Sequence, residues 1–323
     1  MSTHKPILRP AIVTLLLVVL VPPLMSALRP APDRELQGKR LADVTYREVD
    51  FTNATQNIAL AGMLFIPAGH APHPAVVIVH GAGTSRRDNP WYLTLAHDMQ
   101  QRGFLVLLPD KRGSGRSGGD WRTASFADLA TDTQAAIGYL RAAYGDQISV
   151  LGVAGMSQGG QVAPLAAART PAVDFVINVV GSTVPFTDAL DYEEVNNLRE
   201  FGFLPGIADV IAFFSTRYIR FVRQPEFWAA NGNWDPLPWW RTMRIPALIL
   251  YGAADRNTPV AASVARLESL CNPAIRVVVF AGSGHPVEDP PGHGNRIFRQ
   301  DALDTIGDFI DQLPQPTLPR SAM

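Results

Sequence analysis

The sequence is poor in residues that staple, ligate or bind polyanions. Of 323 residues only one, Cys271, is cysteine, so no intrachain disulfide can form. No Cys/His cluster has zinc spacing and no acidic run has the spacing of a calcium loop, so no metal is expected. Charged residues make up 18% and the formal net charge is -1, with no basic stripe interleaved with aromatics. Nucleic acid is therefore not an expected partner. The glycine-rich stretch DKRGSGRSGG, Asp110 to Gly119, lacks the G-x-x-x-x-G-K-[ST] pattern, because Lys111 precedes the glycines instead of following them. No phosphate-binding loop and no cofactor is expected. The stretch is read as a rim loop in which Asp110 and Arg112 pair locally. No internal repeat is present.

Hydrophobic residues, at 47%, suffice for one large core. Short β-branched runs alternate with helical periods: Ala75 to Val79, Phe104 to Leu108, Ile148 to Val153, Val173 to Val180, Ala247 to Tyr251 and Arg276 to Phe280 read as strands. Helical patterns cover Trp91 to Arg102, Phe126 to Tyr144, Gln161 to Arg169, Val260 to Leu270 and Asp301 to Leu313. Val44 to Phe51 and Ile58 to Ile66 read as a lead-in hairpin. The fold class is α/β, a mostly parallel doubly wound sheet covered on both faces. The alternation lapses over 181–245, a stretch rich in aromatic residues and helical in parts. A connection of that length without structure would be unusual, so it is expected to fold as a helical cap on the ligand end of the sheet.

The most specific motif is GMSQGG, Gly155 to Gly160, after a predicted strand and before a helical pattern. It places Ser157 on a sharp strand-to-helix turn with its hydroxyl exposed as a nucleophile. A serine that only caps the next helix would not need the paired glycines. His285, in AGSGH after the last strand, is the candidate base, with His293 in PGHGN as its competitor. Asp255, after the strand Ala247 to Tyr251, is the candidate orienting acid, and the order Ser157, Asp255, His285 fits such a triad. The expected oxyanion donors are the backbone amides of Gln158, at a helix start, and of Ala82, within HGAG at His80 to Gly83. His80 is expected to hold that loop and not to react.

The chain resembles the α/β-hydrolase superfamily over Val44 to Leu313, through HGAG, DKRGSGRSGG, GMSQGGQVAPLAAAR, IPALILYGAADRNTPV and AGSGH. It looks most like bacterial exported serine esterases akin to the serine-aminopeptidase-like and prolyl-oligopeptidase-like branches. Met156 stands where many relatives have histidine. The resemblance implies Ser157 as nucleophile, Asp255 as acid, His285 as base, and Ala82 and Gln158 as the oxyanion hole. It implies hydrolysis of carboxylic esters through an acyl-enzyme. The aromatic cap suits a small-molecule ester with an apolar acyl or aryl group. The alternatives are a serine peptidase or aminopeptidase, with Glu193, Glu194, Glu200 or Glu226 holding a free amino group, a thioester or lactone hydrolase, or an inactive binding protein.

The first 28 residues stand apart. His4, Lys5 and Arg9 give a basic start, and an apolar run from Ala11 continues past Pro22-Pro23 to Leu28. Ser26 and Ala27 suit a cleavage point, while Met25 does not. As a helix the run would be about 27 Å long, against about 30 Å of hydrocarbon. Export is expected, to the periplasm or medium as a cleaved signal or in place as a membrane anchor. Residues 29–43 are then a linker, 44–313 the hydrolase domain with its insert 181–245, and 314–323 a tail.

Overall fold

The computed structural model describes residues 34–313. The apolar run at 11–28 and the tail at 314–323 lie outside the described residues. Among the described residues no helix is long and apolar enough to cross a membrane.

Eight strands form one sheet: β1 Arg47–Asn53, β2 Ile58–Phe65, β3 His73–Val79, β4 Leu105–Pro109, β5 Ile148–Met156, β6 Phe175–Val179, β7 Ala247–Gly252 and β8 Ile275–Phe280. Their order is β1-β2-β4-β3-β5-β6-β7-β8. The β1–β2 and β2–β4 pairs are antiparallel, and every pair from β4 to β8 is parallel. The central strands are buried along their length, which is why they read as continuous apolar runs with no alternation.

The helices lie where the local signals put them. Phe126–Tyr144 starts at a capping box in which Ser125 and Asp128 satisfy each other's backbone amides. It buries Phe126, Leu129, Ala130, Thr133, Ile137 and Leu140, one stripe at helical spacing. Pro90–Gln101 is capped by the Asn89 side chain, with proline at its first position. Several boundaries shift by one to three residues, among them β1, which starts at Arg47 and not Val44, and β5, which runs on to Met156; the shift that bears on the site follows Ser157. The helix after Ser157 begins at Gln158, three residues early, straight through Gly159 and Gly160. Close packing overrides the poor helix propensity of glycine there. A Cβ on Gly159 would run into the Val79 carbonyl, and one on Gly160 into the Asn178 side chain.

The chain steps from β3 outward to β4, then returns to place β5 on the other side of β3. Val79, the last residue of β3, pairs with Gly155 near the end of β5. This reversal opens a crevice beyond the carboxyl ends of β3 and β5, flanked by HGAG and by the Ser157 turn.

Between β6 and β7 the chain forms Phe186–Glu200, Pro205–Tyr218, a π-turn at Ile219–Arg223, Pro225–Asn231 and Leu237–Thr242. Phe186, Phe227, Trp228 and Trp234 pack with Phe126 in a core of their own beside the sheet. Phe213, Phe214 and Phe221 face solvent.

Two expectations need correction. The described part of the linker, residues 34–43, packs on the domain: Gln37 bridges to Arg296, Arg34 binds the Asn295 side chain, and the Lys39 amide donates to Thr94. Gly38 sits so close to Pro90 and Ile297 that a Cβ would lie 2.8 Å from each. Asp110 and Arg112 do not pair with each other. Gly113 and Gly115, both at positive φ, turn the loop back on itself. Asp110 thus takes both arms of Arg87 at 2.8 Å, while Arg112 reaches Asp132 on the neighbouring helix at 2.6 Å.

Candidate active site

Ser157 closes β5 with φ 53° and ψ -121°, a backbone conformation that side chains rarely adopt. Such strain costs on the order of 1–3 kcal/mol and needs surroundings that enforce it. Here the Ser157 amide donates to the Val179 carbonyl at the end of β6 (2.8 Å), and the Ser157 carbonyl accepts from the Gly160 amide at 2.9 Å. The turn projects the hydroxyl into a cavity of about 250 Å³. Ser157 Oγ lies 3.0 Å from Nε2 of His285, and Nδ1 of the same ring lies 2.8 Å from Oδ2 of Asp255. The structure therefore brings the three expected residues together in one chain of hydrogen bonds.

The outer members are held by their loops. Oδ1 of the buried Asp255 accepts from the amides of Asn257 (2.7 Å) and Thr258 (2.9 Å), which leaves Oδ2 for the imidazole. The Tyr192 hydroxyl, from the insert, donates to the Asp255 carbonyl at 3.0 Å. His285 sits in a loop clamped by Glu288, whose carboxylate accepts from the Gly284 amide at 3.0 Å. The Trp91 indole donates to the Pro286 carbonyl at 3.0 Å, and its ring packs 5.6 Å from the imidazole. His293 is exposed further along the loop, with Nδ1 3.1 Å from the Pro291 carbonyl.

Ala82 and Gln158 both line the cavity beside Ser157. Gly81 approaches so closely that a Cβ there would lie 3.2 Å from the Ser157 Cβ and 2.9 Å from the Tyr92 hydroxyl. The Gly81 amide donates to Tyr92 Oη at 2.8 Å, and burial pushes that phenol up to about 12. His80 is buried, and desolvation, reinforced by the Lys111 charge, holds it down at about 4. Its imidazole is neutral at pH 7 and packs 4.3 Å from the Tyr92 ring, a structural position and not a reactive one.

Sequence reasoning passed over two residues. Lys111, noted only as misplaced for a phosphate loop, is buried with Nζ 2.9 Å from the Gly81 carbonyl and 2.7 Å from Oε1 of Gln158. Burial pulls its ammonium down to about 7. Trp91 stands out in the sequence only as the start of a helix. Neither contact leaves a signal in local pattern.

The insert supplies the opposite wall: Phe186, Leu190, Ile219, Phe227 and Trp228 face Ser157 across the cavity. Of the four glutamates considered, Glu193 lines this cavity. It accepts from Asn257 at 2.9 Å, and desolvation raises its pKa. Glu194 instead accepts from Ser215, and Glu200 pairs with Arg256. Among the described residues no group of three or more His, Cys, Asp or Glu could hold a metal ion.

This arrangement can move a proton from a serine hydroxyl to an oriented imidazole in a cavity that Ala82 and Gln158 also line, and such a proton transfer is what attack on an acyl group requires. Residues 70–189 match the family model described as serine aminopeptidase, S33. Residues 134–299, more than half of the chain, match that described as BAAT / acyl-CoA thioester hydrolase C terminal. A curated relative, esterase EstD of Thermotoga maritima, is 23% identical over 209 residues, which are 61% of this chain and 50% of the relative. The chain thus spans about half the length of that relative. Among solved structures, the Pyrococcus furiosus esterase Pf2001 superimposes with a TM-score of 0.61 at 19% identity, over 88% of this chain and 98% of that one. The α/β hydrolase GrgF from Penicillium sp. gives 0.60 at 18%, over 84% and 99%. Est1E from Butyrivibrio proteoclasticus, with ferulic acid bound, gives 0.57 at 19%, over 82% and 98%.

Proposed function

This chain belongs to the α/β-hydrolase superfamily and, within it, to the family of BAAT / acyl-CoA thioester hydrolase C-terminal domains; on that premise we propose that it is a carboxylic ester hydrolase acting through an acyl-enzyme at Ser157. The observation that carries this reading is the His285 ring, hydrogen-bonded to Ser157 on one side and to Asp255 on the other. His285 Nε2 takes the hydroxyl proton as Ser157 Oγ attacks the ester carbonyl. Asp255 holds Nδ1–H, which fixes the tautomer and stabilises the imidazolium. The amides of Ala82 and Gln158 bind the oxyanion. His285 then gives its proton to the departing alkoxide, and a water, activated by the same ring, hydrolyses the acyl-serine.

The insert acts as a cap, and its aromatic wall favours an apolar acyl or aryl group. The same steps release a thiol from a thioester, the chemistry that the second family description names. One observation favours a second reading. Glu193 faces the catalytic serine across the cavity and suits a substrate with an amino group near its scissile bond, as in an aminopeptidase. The basic start and apolar run before residue 29 support export, with the catalytic domain outside the inner membrane.

The test is turnover of matched short esters, long esters, thioesters and aminoacyl amides, with Ser157→Ala as the control. The variant should stay folded and lose at least about 10³-fold in turnover. A fluorophosphonate should label wild type at Ser157 and leave the variant unlabelled. Stoichiometric labelling of another serine would sink the assignment. Faster turnover of aminoacyl amides than of any ester would replace it with the peptidase reading.

A further inference from the structure

Lys111 is buried, and no carboxylate meets its ammonium: its side-chain partners are the Gly81 carbonyl and the Gln158 amide oxygen, with the Trp121 ring 5.4 Å away. A buried cation without a counterion is expensive, and a well-packed apolar residue would be cheaper. What distinguishes the position is what the two partners belong to. The Gly81 carbonyl and the Ala82 N–H are the two ends of one peptide group. A cation on that oxygen draws electron density toward it and makes the N–H a stronger donor. The second bond grips the side chain of Gln158, whose backbone N–H is the other donor. Gly81 is meanwhile tied at its own amide by Tyr92, so the pull of the ammonium polarises the peptide without dragging it out of place.

We propose that Lys111 is a positioning residue for the oxyanion hole: its ammonium polarises the Gly81–Ala82 peptide and anchors Gln158, so the hole is stronger when Lys111 is protonated. The inference rests on the hydrolase reading above. The groups facing Lys111 do not compete for this role. His80 is held neutral, the Asp110 carboxylate is taken by Arg87, and Arg112 is directed to Asp132. Ser157 and Gln158 are uncharged, and neither His285 nor Glu193, which line the same cavity, is among the hydrogen-bond partners of Lys111. Loss of the Lys111 proton, centred at about 7, sets an alkaline decline to a lower plateau above zero.

The full chain carrying Lys111→Met or Lys111→Arg tests this. Lys111→Met should lower kcat by about 10- to 100-fold, less than removal of a donor, with KM changed by no more than about threefold. It should bind a trifluoromethyl ketone, which places an oxyanion in the hole, correspondingly less tightly, and its alkaline decline should vanish. Lys111→Arg keeps the cation and should keep kcat within about threefold, with no decline near neutrality. Thermal stability gives a readout apart from activity. Because the folded pKa lies below the unfolded one, wild type should grow more stable as pH rises from about 7 toward 10, and Lys111→Met should not. A folded Lys111→Met with unchanged kcat and an unchanged alkaline limb overturns the inference. If neither variant folds, the wild-type profile decides, and the absence of a decline near neutrality overturns it. Wild type that neither hydrolyses esters nor takes fluorophosphonate at Ser157 defeats the hydrolase reading itself. Normal labelling and turnover with an indifferent Lys111→Met defeats only this step.

Discussion

The two walls of the cavity are held in different ways. On the sheet side, Ser157, Asp255 and His285 sit at strand ends, and hydrogen bonds of 2.7–3.0 Å fix each polar atom that matters. On the insert side, the polar ties are fewer, chiefly from Tyr192 and Asn231, and the lining itself is held by aromatic packing. Trp228 stacks on Phe186 with ring centroids 4.5 Å apart, Phe126 meets Trp234 edge-on at 5.3 Å, and the buried indole nitrogens of Trp228, Trp234 and Trp240 have no protein partner. Directional bonds specify one geometry, whereas aromatic contacts tolerate rearrangement at small energetic cost. On the proposed function, the chemistry belongs to the hydrogen-bonded wall and substrate choice to the aromatic one.

Substitutions on the two walls should separate these roles. The largest effect is expected at Asp255→Asn, which preserves the shape but offers the imidazole the wrong hydrogen-bond partner, and kcat should fall by about 10⁴-fold in a folded protein. A loss under tenfold would show that the hydrogen-bonded wall is less decisive than its geometry implies. The next effect is on stability. His80 is neutral in the folded protein down to about 4, against 6.5 when exposed, so the unfolded chain binds more protons between those values. Stability should be fully present above pH 6.5 and fall by about 3 kcal/mol as pH drops to 4. Urea unfolding of wild type against His80→Gln isolates this slope, and parallel curves would exclude His80 as its source. The smallest effect is expected at Trp228→Phe on the insert. Losing part of a ring is offset by removal of an unpartnered buried N–H, so stability should change by no more than about 1 kcal/mol. Preference between bulky and short acyl esters should shift by about tenfold, with little change in kcat for the short ester. Equal losses on every ester would mean that the insert also shapes the chemistry.

What could be read from the sequence follows the same division. The strands of the sheet core are legible because burial on both faces demands β-branched runs such as Ala75 to Val79. The helix Phe126–Tyr144 is legible to the residue because a capping box and a 3.6-residue stripe coincide. Strand-end placement singles out Asp255 and His285, since doubly wound sheets expose chemistry there. The insert was legible only as helical and aromatic, because its residues follow no single period and its boundaries come from packing on Phe126. Lys111 and the Arg87–Asp110 pair were illegible for another reason. Their partners are 20 to 50 residues away along the chain and meet only because the parallel strands β4, β3 and β5 end side by side.

The contact between residues 34–37 and the loop after His285 bears on when the enzyme can first act. Arg34 and Asn295 are 261 positions apart, so this clasp closes nearly the whole domain into a ring. A chain emerging from the ribosome has made Ser157 and its turn long before β7, β8 and the His285 loop exist. Closing so large a ring is slow, because the entropy of the intervening chain is lost before the contact contributes anything. The His285 ring that meets the Ser157 hydroxyl is thus in place only after the last strand has formed, and the clasp lies behind the same loop.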